Sequence, residues 1–471
     1  MKYAVPPEYD YRIHHIRPRF KNDVENVLVF MATQLVKMPR MEREEFIEEA
    51  NNAIRLYPGN ATKGLKTINN WRTEISSLFG LIEFDSELNE HWPSAMSQNL
   101  ADKQDLVEFF KYFLYYFQYP GGHLKPHETC KYINAGVRFK PAKYILQLLS
   151  EAEKQAKQSL GITKAELTHC VFNDLRVTRD NRPLDEVIDL ILANRKQKTD
   201  YDWTGDVIRY AGDILDYMVI ADLLTFQGNY YYLNKTENES IYAFLDSDVY
   251  FNKYDSLYGK PDLTSQDVSV FQDDWFHYVN QLEEIDVFRT DVFNYLGIDK
   301  SKYAELKVGV LKDFYKLAET KEAISTKEIG DLGEYLIHGH ECMRLRKAGK
   351  EKLIHLVVRI PNEFAVGYDI QSLEEDETKR YVEVKTTISS KELNFNTFHL
   401  TTNEWMAAQS LDGRYYVYRL TVSKESVLLF MIQDPVGKYK SDLLNMVPRD
   451  GADIKFSESS GEWAELLLWK G

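Results

Sequence analysis

"GYDIQSLEEDETKRYVEVKTT", residues 367–387, is the stretch on which the reading of the C-terminal fold turns. Two runs of alternating apolar and polar residues flank the polar "EEDET", which predicts an antiparallel hairpin. A turn centred on Asp376 sets Asp369 opposite Glu383. Opposed residues share one face of the pleat with Cβ atoms about 5 Å apart, and Lys385, two residues on, points the same way. Tyr368, Ile370, Val382 and Val384 are then expected on the other face, in the core. Two carboxylates meeting across a ladder repel each other. Lys385 offsets part of that repulsion and a divalent cation offsets more. A hard cation such as Mg2+, with Mn2+ as substitute, binds one or two carboxylates and completes its shell with water and phosphate oxygens. Lys385 is then expected either to stabilise charge developing on phosphorus or to help deprotonate the attacking water.

Working outward, "STKEIGDLGEYLIHGHECMRLRKAG" (325–349) predicts a helix. Ser325 and Glu328 form a capping box, Ile329, Leu332, Leu336 and Met343 mark the buried stripe, and Gly349 ends it. Glu334 and Glu341 lie two turns apart on one side, and either could supply a third acid. His338 and His340 diverge on a helix and are read as ordinary residues rather than a zinc pair. Beyond the helix, "LIHLVVRI", "VGYDIQSL", "RYVEVKTT", "RYYVYRL" and "SVLLFMI" read as strands, with one helix, "TTNEWMAAQSL", inserted after the third. Helix, three strands, helix, two strands is an α/β order with a mixed central sheet.

E-x-K on a strand, an Asp on the preceding strand and a glutamate-bearing helix before both match the core of the PD-(D/E)-x-K nucleases. More narrowly, "GDLGEYLIHGHE", "GYDIQS", "RYVEVKTT", "FHLTTNEWMAAQ" and "RYYVYRL" resemble, in order and spacing, the C-terminal domain family named after protein NO VEIN, over residues 320 to 435. The resemblance implies a restriction-endonuclease-like fold with Asp369, Glu383 and Lys385 as catalytic residues and Glu334 as the helix acid. It places the metal on Asp369, Glu383 and Glu334. Glu341 matches a second recurring acid without an assigned role. The proline that gives the superfamily its name is replaced by Tyr368.

The 471-residue chain exceeds what one hydrophobic core serves, so several domains are expected. No apolar run of membrane-spanning length and no signal-peptide apolar region occur, which predicts a cytoplasmic protein with no membrane partner. Cys130, Cys170 and Cys342 are too scattered for a disulfide framework or paired zinc ligands, and are read as buried small hydrophobes. A net charge of −15 argues against a nucleic-acid partner only if it is evenly spread, and it is not. Residues 236–291 hold thirteen acids against three bases, a net of −10, whereas residues 131–165 hold seven bases against two acids. The acidic segment is rich in aromatics, so it is read as a folded helical connector that keeps DNA from one side or covers a basic surface.

In "KTINNWRTEISSLFG" (66–80), Ile68, Trp71, Ile75 and Leu78 recur at helical steps while Asn69, Asn70 and Arg72 face outward. With "MEREEFIEEANNAIRL" before it and "LIEFDSE" after it, the order is helix, turn, helix, short strand, that of a winged helix. The order recurs in "PAKYILQLLSEAEKQAKQ", in a capping box from Thr163 to Glu166, and in "GDVIRYAGDILDYMVIADLLTFQGNYYYLN" with its turn at Gln227–Gly228–Asn229. The expected duplex contacts are Lys66, Asn69, Asn70 and Arg72 in the first unit. In the second they are Arg138, Lys140, Lys143 and Lys164, with Lys131, Lys154 and Lys157 beside them.

These readings converge on a multi-domain α+β protein. Winged-helix-like recognition units are expected at 1–100 and 101–235, an acidic helical connector at 236–320, and a nuclease-like α/β domain at 321–471. The expected function is a Mg2+-dependent type II-like restriction endonuclease that acts on double-stranded DNA in phage defence. It would dimerise at least during cleavage and work beside a methyltransferase or another defence component. The alternative is a DNA-binding sensor or accessory subunit that does not cut.

Overall fold

The computed structural model describes residues 2–14, 16–156, 160–203, 207–283, 285–298, 332–360 and 365–471. The chain divides into two compact units: residues 1–101 with 106–289, and residues 102–105 with 290–471. The acidic aromatic segment to residue 289 lies in the first. The expected boundary at 320, the capping box at Ser325–Glu328 and Lys157 fall outside the described residues.

In the first unit, α1 (Val24–Leu35), β1 (Met41–Glu42), α2 (Arg43–Leu56) and α3 (Leu65–Thr73) precede the hairpin of β2 (Ile82–Asp85) and β3 (Glu90–Pro93). Strand β3 is central, flanked antiparallel by β1 and β2. Ile68, Trp71, Ile75 and Leu78 are buried, as their spacing requires, and a π-turn over Glu74–Leu78 carries the stripe to Gly80, whose φ of +68° only glycine adopts freely. The order recurs with α4 (Pro141–Ala156), a bridge from Ile162 to Tyr231, α5 (Val207–Ile220), β4 (Leu224–Gln227) and β5 (Tyr230–Leu233). Both halves of the Thr163–Glu166 capping box are present. Gly228 and Asn229 turn the β4–β5 hairpin with positive φ, as a two-residue type I′ turn demands. The acidic segment contributes short helices, including Asn238–Asp246 and Gln272–Val279, that bury Phe251, Tyr254, Trp275 and Phe276. All three cysteines are free and buried.

The second unit is built on a six-stranded mixed sheet. Its elements run α6 (Leu332–Lys347), β6 (Val358–Arg359), β7 (Ile370–Leu373), β8 (Lys379–Ile388), β9 (Thr397–Thr401), α7 (Thr402–Leu411), β10 (Tyr415–Val422), β11 (Val427–Gln433), β12 (Leu444–Pro448), β13 (Gly451–Phe456) and β14 (Glu462–Ala464). The sheet order is β14-β11-β10-β8-β7-β6, with β8 and β10 parallel and every other pair antiparallel. Helix α7 supplies the crossover between the parallel strands, as such a pair requires. Strand β9 leaves this sheet and joins β13 and β12 in a separate three-stranded one. Phe398, Leu400, Val417, Phe430, Ile432 and Ile454 knit the two sheets into one core.

Three expectations change here. "LIHL" of the first expected strand forms a 3-10 turn (Glu351–Leu356), leaving only Val358 and Arg359 extended. Strand β9 precedes α7, and three further strands close the domain, none of them expected from the sequence pattern. Tyr368 does not share a face with Ile370. The pleat begins at Ile370, and the Tyr368 ring instead meets Tyr381, 4.8 Å between centroids, on the side packed by α7.

Candidate active site

Strands β7 and β8 pair Ile370 with Val382 and Leu373 with Lys379, the register that a turn centred on Asp376 dictates. Asp369, just before β7, donates its N–H to the Val382 carbonyl (3.0 Å), while its own carbonyl accepts from Ile360 (2.7 Å). Its carboxylate accepts the Val384 N–H at 2.7 Å. Gly367 makes this approach feasible. Its φ is +79°, and a Cβ there would lie 2.5 Å from the Asn403 carbonyl and 2.8 Å from the Ala407 Cβ, both on α7. The Tyr415 hydroxyl donates to the Gly367 carbonyl at 2.9 Å and pins the turn to β10.

Glu383 and Lys385 alternate with Val382 and Val384 on β8 and share the α7 side of the sheet. The Lys385 Nζ stands 2.7 Å from Glu383 Oε1 and 2.8 Å from Glu404 Oε2. Glu404 was absent from the expected site. It lies in the first turn of α7, where it closes a capping box with Thr401. Its sequence signal was the T-x-x-E of "TTNE". Glu334, on α6, is held by the Arg359 guanidinium at 2.7 Å, both side chains buried, with Arg359 stacked over the Tyr335 ring.

The electrostatics follow from burial. Desolvation, then the Glu334 charge, pushes Asp369 up to about 8, against the pull of Lys385. Glu383 is driven well above the usual carboxylate range by burial and then by Asp369. Burial disfavours ionised Glu404, but Lys385 outweighs it and holds that carboxyl below its ordinary value. Burial likewise disfavours charged Lys385, yet Glu383 and Glu404 raise its pKa above that of a free lysine. Four carboxylates (Glu334, Asp369, Glu383, Glu404) face two cations (Arg359, Lys385). With every acid ionised the formal excess is −2, which one divalent cation would neutralise. All the acids are hard oxygen donors, which suits Mg2+ or Mn2+ and not a soft metal. Among the described residues no group of three or more His, Cys, Asp or Glu side chains is placed to hold a metal ion. A cation here would therefore draw on few protein ligands and take the rest from water and phosphate, as Mg2+ commonly does.

Glu341 belongs to a different structure. It is fully buried, receives Arg344 at 2.7 Å and the Tyr418 hydroxyl at 2.8 Å, and stands 3.5 Å from Arg380. Although burial opposes ionisation, Arg344 and Arg380 hold its carboxyl down to about 2. It locks α6 to the sheet. His338 and His340 bond to the Val357 carbonyl and the Leu467 N–H, and burial depresses both to about 4, leaving them neutral at pH 7.

The expected duplex contacts divide. Lys66 is exposed on α3, and Asn69 and Asn70 are half-buried beside it. Arg72 donates to Asn51 Oδ1 (2.6 Å) and Asn69 Oδ1 (3.0 Å), which ties α3 to α2. The cations of the second unit are engaged within the fold. Lys140 donates to the Tyr115 and Val249 carbonyls, Lys143 to the Ser247 carbonyl, and Arg138 and Lys164 pair with Asp255 and Asp216 at 2.9 Å. Burial, helped by Lys143, lowers Lys140 to about 7. Three of the four partners of 138–143 thus come from the acidic segment, which covers this basic stretch by packing on it.

Residues 3–276 match the family described as restriction endonuclease BpuJI, N terminal, and residues 333–432 match the C-terminal family of protein NO VEIN. No curated protein matches the chain. A solved structure, described as pyrene- and phenanthrene-modified DNA in complex with the BpuJ1 endonuclease binding domain, is similar with a TM-score of 0.52 and 25% identity over 59% of this chain and 100% of that one.

Proposed function

Since the chain belongs to the family of the restriction endonuclease BpuJI N-terminal domain, we propose that it is a restriction-type DNA endonuclease: the first unit binds double-stranded DNA and the second hydrolyses its phosphodiester backbone with Mg2+, or Mn2+ in its place. The observation that carries the cutting half is the buried acid cluster, four carboxyls beside two cations, in which burial and mutual repulsion raise Asp369 and Glu383. The DNA complex of the similar binding domain supports the other half. So do the two helix–strand orders, which we read as tandem winged helices, with Lys66, Asn69 and Asn70 of α3 facing the duplex.

Asp369 and Glu383 would hold the cation, and Glu334, steered by Arg359, is the third acid. The bound cation supplies charge neutralisation at the phosphate and acidifies the attacking water. Lys385, kept protonated by two carboxylates, supplies positive charge for a phosphate oxygen rather than acting as base. Asp369 is oriented by the Val384 N–H and Gly367 holds its turn against α7. Cutting both strands needs two such sites, so a second copy of the chain joins during cleavage, and a methyltransferase that protects the host's own DNA is the companion activity. No described helix is long and apolar enough to cross a membrane.

The test is incubation with plasmid and modified and unmodified genomic DNA in Mg2+ or Mn2+. Cleavage that disappears in Asp369→Ala and Lys385→Ala, with DNA binding retained, is the expected outcome. Binding without cleavage by the unaltered protein would instead make it an accessory DNA-binding module.

A further inference from the structure

The Lys385 ammonium has two carboxylates where an ion pair needs one. Glu383 comes from its own strand. Glu404 comes from the first turn of α7, and its Oε2 accepts both the Thr401 N–H at 3.0 Å and Lys385 at 2.8 Å. Capping does not require this charge, because Gln serves as well as Glu at the third position of a capping box. The charge of Glu404 therefore answers to Lys385.

We propose that Glu404 is a positioning residue that lets Glu383 change partners, holding Lys385 in place when a divalent cation takes the Glu383 carboxylate. This rests on the nuclease reading above. Were Glu404 neutral, Glu383 would be the acid left in contact with Lys385, and a cation could bind Glu383 only by breaking that pair and stranding a buried ammonium. With Glu404 present the ammonium retains a charge-assisted hydrogen bond on the α7 side, and Glu383 is released without loss of the lysine's position. A second carboxylate that is superfluous in the cation-free fold becomes necessary in the loaded one.

A double-mutant cycle read by calorimetric titration of Mn2+ into the full-length, DNA-free protein tests this. Glu404→Gln, which keeps the cap, is expected to weaken Mn2+ binding about tenfold, the lower end for residues behind a metal ligand. In a Lys385→Met background no pair remains to be broken, so adding Glu404→Gln is expected to cost nothing further. Unchanged Mn2+ affinity in Glu404→Gln overturns the proposal. An undiminished loss in the Lys385→Met background also overturns it, since Glu404 would then be a ligand itself. If Glu404→Gln fails to fold, Glu404→Asp, too short to span both partners, replaces it with the same expected loss. Unaltered protein that takes up no Mn2+ sinks the nuclease reading and this proposal together, an outcome distinct from the other two.

Discussion

Asp369 and Glu383 are the residues where the proposed function and stability conflict. In the unfolded chain Asp369 releases its proton near its ordinary value of 3.8, and in the cation-free fold near 8. Between those values the folded state binds the proton that the unfolded state has lost, so this contribution is present below pH 4 and disappears as pH climbs through 8. The cation-free protein is expected to melt at progressively lower temperature from pH 5 to 8, and Mn2+ to flatten that slope by replacing the proton. Asp369→Asn keeps an oxygen for the Val384 N–H and removes the charge. It is expected to melt a few degrees above the unaltered protein at pH 8 without cation, as about 1 kcal/mol would give, while losing cleavage. Scanning calorimetry across pH checks both, and a stability loss on Asp369→Asn would contradict the account. The register that brings Asp369 near Glu383 was legible because hairpin register is a local property. Asn403-Glu404 belonged to the most specific part of the resemblance, but Glu404 had no place in the expected site, because nothing in the period of α7 says that its first turn packs over β8.

At the scale of elements, the site depends on how β7 starts. Alternation read from the sequence extended this strand back to Val366, but pairing begins at Ile370 because Gly367 turns the chain beneath α7. Gly367→Ala would demand a positive φ of a residue with a Cβ and press that Cβ against the Asn403 carbonyl, at a cost of about 1–3 kcal/mol. A lower midpoint in urea is expected, together with lost cleavage, since Asp369 is two residues away; an unchanged midpoint would mean that α7 yields. Helix α3 was legible from its stripe, and α6 from the buried Leu336 and Met343 and the stop at Gly349. Strand β9 was not, because it pairs with a strand far downstream, as His399 does with Asp453, and leaves no local period; β12 and β13 form a local hairpin, Pro448 against Ala452, which the expected strands stopped short of. The same non-locality hid the fate of Lys140 and Lys143, whose partners Val249 and Ser247 lie about a hundred residues downstream.

At the scale of the whole molecule, four residues of the stretch between two first-unit segments belong to the second unit. Gln104, buried and at φ +50°, accepts from Thr387 at 2.7 Å and from the Arg419 guanidinium, and donates to the Thr397 carbonyl at 3.1 Å. Arg419, on β10 beside Lys385, is buried deeply enough to lower its pKa to about 9. Gln104→Leu would leave that guanidinium short of an acceptor and should cost about 1–3 kcal/mol, read as a lower denaturation midpoint. The division into units also predicts separable functions. If Lys66 on α3 makes the phosphate contact proposed for it, Lys66→Ala should lower DNA affinity and shrink the slope of log affinity against log salt by about 1. Its Mn2+ affinity should not change, because the acid cluster is assembled wholly from second-unit elements. Asp369→Ala should show the converse, full DNA affinity with Mn2+ binding lost. Measuring both ligands on both variants decides the matter: if either substitution moves both affinities, recognition and cutting are not carried by separate units.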